Sequence, residues 1–520
     1  MDNTNSFFFY DLETSGLNHR EDRIMQFAGQ RTDMDLNPIG EEVNLLVKLP
    51  DDTLPSPGAI AVTKITPQKT QEDGITEAEL CRYLTDEIFI PNTCILGFNS
   101  VRFDDEFMRH LFWRNFYDPY EWQWRDGRSR WDMLDVVRLT RALRPEGINW
   151  PTGEKEIDGK KVAVKTNRLE LITKLNNIEH KHAHDALSDV YATIAVAKLI
   201  KEKQPDLFNY LFKMRNKKLV QKLVNLENPA PFVYASGRYS SEFDKTTVAF
   251  PLAPSRKGNV LVWDLRYDIE ECVAEQVGDP RRAVRVMRAG PPGAELGVGA
   301  PSDDSWGSTQ QDPNTPATAP WDAEGRRPTS QLANKPQKLY PKLKELCYNK
   351  CPAVAPLGVL DKDDGWQKIG LSKDQIEKNL KSLLSHPDFV EKAREEDENH
   401  LDFPPAIDPE SALYDGFLDD RDRNLCGLVR AASKNQLADL HPEFSDPRLD
   451  PLLLHYKAKN FPDTLSEDEQ KEWEKYRLAR LNRQSVVFNQ GIEELSKRSD
   501  IDQFLIDELL LWAQSLATSY

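Results

Sequence analysis

An aromatic segment that ends in two carboxylates constrains the fold of this chain more than any other segment. Four consecutive aromatic residues occupy positions 7–10, followed by Asp11, Leu12 and Glu13 and then by a Thr-Ser-Gly turn. The run is too short for a core helix and is rich in strand formers, so it predicts a buried strand. Side chains two positions apart share one face of a strand, so Asp11 and Glu13 point the same way at its end.

The two carboxylates predict a site for a divalent cation. Ionised carboxylates at this spacing repel each other, and burying either one unpaired costs several kcal/mol. A cation would remove that cost, and oxygen ligands without nearby Cys or His favour Mg²⁺ or Mn²⁺ over zinc. The alternative is a strand that runs out into solvent, where acidic residues are common. The choice between them depends on further ligands elsewhere in the chain.

The size and composition indicate a multidomain globular protein. A chain of 520 residues exceeds one compact core, and typical domain sizes predict about three domains. Apolar residues make up 39% and charged residues 29% of the chain. No apolar run approaches the roughly 20 residues that cross a bilayer, and the N-terminus lacks the pattern of a signal peptide. We therefore expect a cytoplasmic protein with no membrane association.

The cysteine content and the net charge indicate the cellular compartment and disfavour one class of nucleic-acid-binding protein. The six cysteines form neither a disulfide framework nor a paired zinc motif, which favours free thiols in a reducing compartment. A net charge of −17 disfavours a protein that coats nucleic acid nonspecifically. The charge still allows an enzyme with a local basic groove.

Further strands and a third acid follow the opening segment. Residues 23–32 and 42–49 predict two strands, which gives the sheet an antiparallel start. The apolar run 94–98 predicts a central strand, and Asp104 follows at or just before the start of a helix over 104–116. An acid at that position also has an ordinary explanation as a helix cap.

A second group of ionisable residues precedes a helix further along the chain. His180, His182 and His184 alternate in a loop, and Asp189 lies in the first turns of the helix that follows. A histidine at this junction is a candidate general base near neutral pH. His180 and His182 fit a solvated, histidine-rich loop.

The segment 120–131 combines tryptophans, a tyrosine and arginines more densely than any other part of the chain. Such a mixture can stack nucleic-acid bases while pairing with phosphates. It can equally be a loop whose tryptophans pack against the domain. We assign Trp122 and Trp131 to packing.

Four acids and one histidine, in their order along the chain, resemble the DEDDh class of 3′-to-5′ exonucleases. They are Asp11, Glu13, Asp104, His184 and Asp189. Longer stretches resemble the bacterial exonuclease I family within that class, and only about residues 289–336 fall outside the resemblance. The stretches are RFDDE at 102–106, RNFYDPY at 114–120, LRPEGINWP at 143–151, NKCP at 349–352, YDGF at 414–417 and YKAKNFP at 456–462.

The resemblance implies three domains in succession. They are an α/β ribonuclease-H-like exonuclease domain over 1–204, a β-rich SH3-like domain over 205–356 and an α-helical C-terminal domain over 357–520. The sequence pattern agrees, because short β-type runs at 231–236, 246–252 and 259–265 precede a helical region. Residues 289–336 are rich in Pro, Gly, Ser and Thr, which predicts a flexible insertion in the SH3-like domain.

The resemblance also implies a catalytic site. Asp11, Glu13 and Asp189 would hold two Mg²⁺ ions, which Mn²⁺ can replace, and Asp104 would complete the second metal position. His184 would take the proton of the attacking water. The implied activity is processive degradation of single-stranded DNA from its 3′ end to 5′-mononucleotides, in DNA repair and recombination.

The resemblance extends to candidate contacts with substrate and partner. The implied DNA contacts are Glu13, Arg109, Tyr120, Trp124, Arg138, Arg168 and Lys217. Arg144 is the implied contact for the acidic C-terminal tail of single-stranded DNA-binding protein, and the family implies a monomer. Two alternatives remain: an exoribonuclease of the same superfamily, and a catalytically inactive scaffold that binds single strands.

Overall fold

The computed structural model describes residues 4–157, 160–180, 185–272, 342–399 and 406–518. The chain divides into two compact units. The first unit comprises Met1–Arg130, His180–Ile194 and Pro404–Tyr520, and the second comprises Trp131–Glu179 and Ala195–Phe403. None of the helices in the described ranges is both long and apolar enough to cross a membrane.

The strands are numbered here in chain order. They are β1 (Ser6–Thr14), β2 (Ile24–Thr32), β3 (Val43–Leu46), β4 (Thr93–Gly97), β5 (Ser129–Asp132), β6 (Thr152–Ile157), β7 (Lys160–Lys165), β8 (Phe232–Ala235), β9 (Thr246–Pro254), β10 (Val260–Asp264), β11 (Leu343–Leu346) and β12 (Ala353–Pro356).

The α-helices are numbered in the same way. They are α1 (Pro57–Thr63), α2 (Pro67–Asp73), α3 (Glu77–Tyr83), α4 (Asp104–Arg114), α5 (Met133–Leu143), α6 (Leu169–Leu175), α7 (Ala186–Lys203), α8 (Pro205–Met214), α9 (Lys217–Leu223), α10 (Gly365–Lys368), α11 (Lys373–Leu384), α12 (Pro387–Glu398), α13 (Asp420–Ala431), α14 (Lys434–Ala438), α15 (Leu449–Asn460), α16 (Glu467–Ser496) and α17 (Gln503–Thr518).

A five-stranded sheet with the order β3-β2-β1-β4-β5 carries the opening segment at its centre. β1 pairs antiparallel with β2 and parallel with β4, so the predicted antiparallel start is confirmed. Phe7 and Phe9 are buried on the face that also carries Asp11 and Glu13, while Phe8 is buried on the other face and stacks on Phe27. Burial on both faces therefore places the two acids at the end of a rigid strand.

The second unit contains a second five-stranded sheet, with the order β11-β10-β9-β8-β12. All of its neighbouring strands are antiparallel, and Trp263 of β10 faces Leu343 of β11. The three strands predicted in this region are confirmed as β8, β9 and β10. The chain leaves the sheet after β10 and returns to the adjacent position at β11. The predicted flexible insertion, residues 289–336, lies outside the described residues.

The C-terminal region is helical, as predicted. Ser466 and Glu469 form a capping box at the start of α16, and the Ser372 side chain accepts the backbone N–H of Gln375 at the start of α11. Leu509 and other apolar residues of α17 pack with residues of α1 and α16 in one buried cluster of the first unit.

A buried network of charges lies within the first unit. Lys459 Nζ is 2.9 Å from Asp52 Oδ2, and Arg480 Nη1 is 2.7 Å from Asp408 Oδ2. Glu410 pairs with both Arg23 and Lys459. Because Arg23 directly precedes β2, the network joins the turn after β1 to the helical C-terminal region.

Candidate active site

The ends of two elements bring three of the predicted metal ligands together. Asp11 and Glu13 lie near the C-terminal end of β1, and Asp189 lies in the first turn of α7. Each offers one carboxylate oxygen, and these atoms all lie within 4.8 Å of one another. β1 has a register irregularity directly after Glu13, and such bulges turn a strand end at functional sites. The structure therefore brings Asp11, Glu13 and Asp189 together in one cluster, and their role as metal ligands stays a prediction.

Asp104 is the first residue of α4 and is only 4% exposed. Phe103 holds the N-cap position, so Asp104 does not serve as the cap. The charge of Asp104 raises the pKa of both Asp11 and Glu13, which places it beside the cluster. The neighbouring Asp105 has another role, because it accepts hydrogen bonds from Tyr10 Oη at 2.7 Å and from Arg130.

The cluster is electrostatically strained. Burial, followed by the charges of Asp104, Asp189 and Glu13, raises the pKa of Asp11 well above its usual value. Burial and the charges of Asp189 and Asp104 do the same to the pKa of Glu13. A divalent cation would relieve this repulsion, and an oxygen-only set of ligands suits a hard cation.

A second cluster of possible metal ligands does not share this strain. Asp408, Glu410 and His455 also lie close enough together to hold an ion. Burial would raise the pKa of Glu410, but Lys459 and then Arg23 outweigh that effect and hold it well below its usual value. Basic side chains already neutralise these acids, so we assign the cluster a role in stabilising the fold rather than in binding a metal.

His180 corrects one expectation from the sequence. It was predicted to lie in a solvated loop, but its side chain is only 5% exposed and its Nε2 is 2.5 Å from Asp189 Oδ1. The alternating histidines of this segment gave no signal that would single out His180. His182 and His184 lie outside the described residues, so the prediction that His184 is the general base stays a prediction.

Gln26 is a residue of the site that the sequence did not reveal. It lies opposite Glu13 in the pairing of β1 with β2. Its Nε2 donates to Asp185 Oδ1 at 3.3 Å, and its Oε1 accepts from the backbone N–H of Ala186 at 3.4 Å. Gln26 thus holds the start of α7 against the sheet and helps to place Asp189.

Besides Glu13, three candidate DNA contacts lie in the first unit, namely Arg109, Tyr120 and Trp124. Arg109 Nη1 is 2.7 Å from Glu106 Oε1, and its Nη2 is 3.2 Å from Gln123 Oε1. Its guanidinium carbon lies 5.6 Å from the centre of the Tyr120 ring. Trp124 is 61% exposed, which leaves its indole ring available for stacking.

The neighbouring tryptophans behave as predicted. Trp122 is buried and packs against Tyr10, Phe89 and Phe112 of the first unit. Trp131 is buried in the second unit. The segment therefore divides into packing tryptophans and one exposed tryptophan.

The other candidate DNA contacts belong to the second unit. Arg138 is buried and pairs with Asp135 at 2.8 Å. Arg168 precedes α6 and pairs with Glu170 at 2.6 Å. Lys217 is the exposed first residue of α9.

Arg144, the candidate partner contact, also lies in the second unit. It follows α5, and its Nη2 is 3.5 Å from Asp363 Oδ2. An acidic peptide would therefore have to compete with Asp363 for this guanidinium.

Three families of known proteins match successive parts of the chain. Residues 8–197 match the family described as Exonuclease. Residues 215–284 and 327–396 match the Exonuclease I SH3-like domain, and residues 407–516 match the Exonuclease I C-terminal domain. The order of domains inferred from the resemblance is therefore confirmed.

Individual proteins are similar over nearly the whole chain. Exodeoxyribonuclease I of Haemophilus influenzae is 38% identical over 492 residues, which are 94% of this chain and 93% of the relative. The crystal structure of Escherichia coli exonuclease I in complex with a dA16 oligonucleotide has a TM-score of 0.80 and 34% identity, covering 99% of this chain and all of that chain. A zinc-bound form of the E. coli exonuclease I complex with single-stranded DNA has a TM-score of 0.79, with 34% identity and the same coverage.

The carboxylate cluster at the end of a central strand and the match over residues 8–197 define an exonuclease. The SH3-like and C-terminal matches narrow that class. The chain belongs to the exodeoxyribonuclease I family.

Proposed function

We propose that this enzyme degrades single-stranded DNA processively from the 3′ end to 5′-mononucleotides, and that it acts in DNA repair and recombination. The observation that carries the proposal is the cluster of Asp11, Glu13 and Asp189, with Asp104 beside it, in a member of the exodeoxyribonuclease I family. An attack on a phosphodiester builds negative charge on an anionic group, and this cluster is suited to cations that stabilise that charge.

The acids fit a pair of Mg²⁺ ions, which Mn²⁺ could replace, because all of the ligands are oxygen atoms. Asp11, Glu13 and Asp189 would hold the ions, and Asp104 would complete the second position. When bound, such ions stabilise the entering and leaving oxygens and lower the pKa of bound water. His184 would accept the proton of the attacking water.

The candidate contacts supply a way to hold any sequence. Stacking of a base on an exposed aromatic ring such as Trp124 contributes about 1 to 3 kcal/mol and tolerates every base. Tyr120 and Arg109 extend this surface, and Glu13 would contact the 3′ nucleotide. In the second unit, the cationic candidates for phosphate contacts are Arg138, Arg168 and Lys217.

The proposed enzyme has three domains. We infer an exonuclease domain over 1–204, an SH3-like domain over 205–356 with an insertion at 289–336, and a helical domain over 357–520. The enzyme would act as a cytoplasmic monomer. None of the six cysteines, each of which lies within the described residues, forms a disulfide, which fits a reducing compartment. Arg144 would bind the acidic tail of single-stranded DNA-binding protein by charge complementarity.

The activity is tested with DNA labelled at either end. We expect metal-dependent release of mononucleotides from the 3′ end of single-stranded DNA, and no release in EDTA. Matched RNA and duplex DNA serve as controls. Preferential loss of RNA would point to an exoribonuclease, and binding without release would point to an inactive scaffold.

The general base is tested by a pair of histidine variants. His184→Ala should slow turnover by about 10² to 10⁴, the usual contribution of a positioned base, and should change the affinity for DNA much less. His182→Ala is the matched control and should retain near-normal turnover. The reverse result, with His182→Ala slow and His184→Ala active, would show that the assigned register is wrong. Single-turnover rates and binding in EDTA measure the two quantities.

A further inference from the structure

We propose that Arg109 and Gln123 form a subsite for a backbone phosphate of the DNA strand, and that Tyr414 of the C-terminal region is its positioning residue. The inference rests on the proposed function, in which Arg109 contacts DNA. It adds Gln123 to the substrate contacts and assigns the C-terminal region a role in binding the strand. All three residues belong to the first unit.

A chain of hydrogen bonds joins Tyr414 to Arg109 through one carboxylate. The Tyr414 hydroxyl donates to Glu106 Oε2, and Arg109 Nη1 donates to Glu106 Oε1 at 2.7 Å. Each oxygen of Glu106 therefore has a different donor, which holds the carboxylate in one orientation. Because hydrogen bonds to charged groups are the stronger kind, loss of the Tyr414 hydroxyl would free Glu106 to rotate and take Arg109 with it.

Two buried donors at this place have no acceptor among the residues that the structure describes. Arg109 Nε and Gln123 Nε2 are buried, and neither has a hydrogen-bond partner within the described ranges. A buried donor without a partner costs about 1 to 3 kcal/mol, and such groups in native proteins call for an explanation such as a ligand. The two side chains are also hydrogen-bonded to each other, because Arg109 Nη2 donates to Gln123 Oε1. An anionic oxygen that approaches this pair would satisfy both donors.

The surroundings keep the subsite charged and bury its two unsatisfied donors. Burial would lower the pKa of Arg109, but Glu106 and Tyr414 outweigh it and raise the pKa above its usual value. Burial and the charge of Glu106 raise the pKa of Tyr414, so its hydroxyl remains a donor. Tyr414 is 43% exposed, whereas Arg109 and Gln123 are only 6% and 8% exposed. The guanidinium carbon of Arg109 lies 5.6 Å from the centre of the Tyr120 ring. A phosphodiester, with bases stacked beside it, matches this combination of donors and rings.

The structure contains a matched control for Tyr414. Tyr476 donates to Asp408 Oδ2 at 2.8 Å, and Arg480 Nη1 binds the same oxygen at 2.7 Å. As at Glu106, a tyrosine and an arginine share one carboxylate, here inside the buried charge network, although both bind the same oxygen of Asp408. Loss of the Tyr476 hydroxyl should therefore lower stability without changing the affinity for DNA.

The test measures binding of labelled oligo-dT to the full-length enzyme in EDTA, over a range of salt concentrations. Tyr414→Phe should weaken binding roughly tenfold, as expected for a lost hydrogen bond to a charged group. Arg109→Ala should weaken binding and lower the slope of log affinity against log salt by about 0.7, the value for one phosphate of a single strand. Gln123→Ala should weaken binding less. Tyr414→Phe should have little further effect in the Arg109→Ala background.

Each outcome has one interpretation. An unchanged affinity and salt slope in Arg109→Ala would overturn Arg109 as a DNA contact and the subsite with it, although the proposed exonuclease activity would stand. A normal affinity in Tyr414→Phe, or an additive loss in the double variant, would overturn the positioning role alone. Equal losses in Tyr414→Phe and Tyr476→Phe would show general destabilisation and would also overturn that role.

Discussion

Asp189→Ala will abolish hydrolysis of single-stranded DNA while the protein remains folded. Asp189 closes the carboxylate cluster from α7, and a lost metal ligand removes several kcal/mol of transition-state stabilisation. Because each 1.36 kcal/mol corresponds to a tenfold change in rate, the loss should reach about a thousandfold or more. Initial rates of nucleotide release in Mg²⁺ measure it.

The control for Asp189→Ala lies on the same helix. Glu202 is an exposed acid near the end of α7, and Glu202→Ala should leave the rate unchanged. In EDTA the thermal midpoint of Asp189→Ala should equal or exceed that of the parent, because one of the repelling carboxylates is gone. Near-normal turnover by Asp189→Ala would refute the assignment of this cluster as the active site.

Glu410→Ala will lower the free energy of unfolding more than any other substitution named. Glu410 is buried and pairs with Arg23 and Lys459, and its Oε1 is also 3.0 Å from His455 Nδ1. Removal of one partner from a buried ion pair leaves an uncompensated charge and costs about 3 to 5 kcal/mol. The free energy of unfolding, from denaturant titration at pH 7, measures the loss.

The loss should depend on pH with a definite sign. The folded protein holds the pKa of Glu410 well below its usual value, so this residue contributes stability at neutral pH. That contribution disappears as the pH falls below the usual glutamate value of about 4.3 and through the folded value. Glu493 pairs with Lys497 on an exposed helix surface, so Glu493→Ala should leave the unfolding midpoint unchanged at every pH. A loss for Glu410→Ala as small as that for Glu493→Ala would contradict the role of the network.

The acids of the site were predictable because each stands beside a local signal. Asp11 and Glu13 follow an apolar run with strand periodicity, and Asp104 and Asp189 lie at predicted helix starts. A short window of sequence shows such signals. The resemblance to a known family then joined these separate segments into one site.

The residues that support the acids were not predictable from local patterns. Gln26 bonds to Asp185, which is 159 positions away, and Tyr414 bonds to Glu106 over 308 positions. Glutamine and tyrosine at such places carry no periodicity of their own. Their roles arise only from tertiary contacts between distant segments, as does the contact of His180 with Asp189.

Two strands of the second sheet were also missed for a physical reason. β11 reads Leu-Lys-Glu-Leu, and β12 ends in proline. Neither segment has a strong intrinsic preference for a strand, but both complete the edges of a sheet by pairing with β10 and β8. Tertiary pairing therefore overrides local propensity.

The connection between β10 and β11 begins and ends at neighbouring positions of the second sheet. This arrangement affects how easily the length of the connection can change. β10 ends beside the start of β11, because Trp263 faces Leu343, and the family match resumes only at residue 327 after stopping at residue 284. Each doubling of a flexible connection adds only about 0.6 kcal/mol of closure free energy. The composition of residues 289–336 predicts such a flexible connection, so we expect changes in its length to carry little thermodynamic penalty. For the same reason, it is a natural position at which to insert a reporter domain.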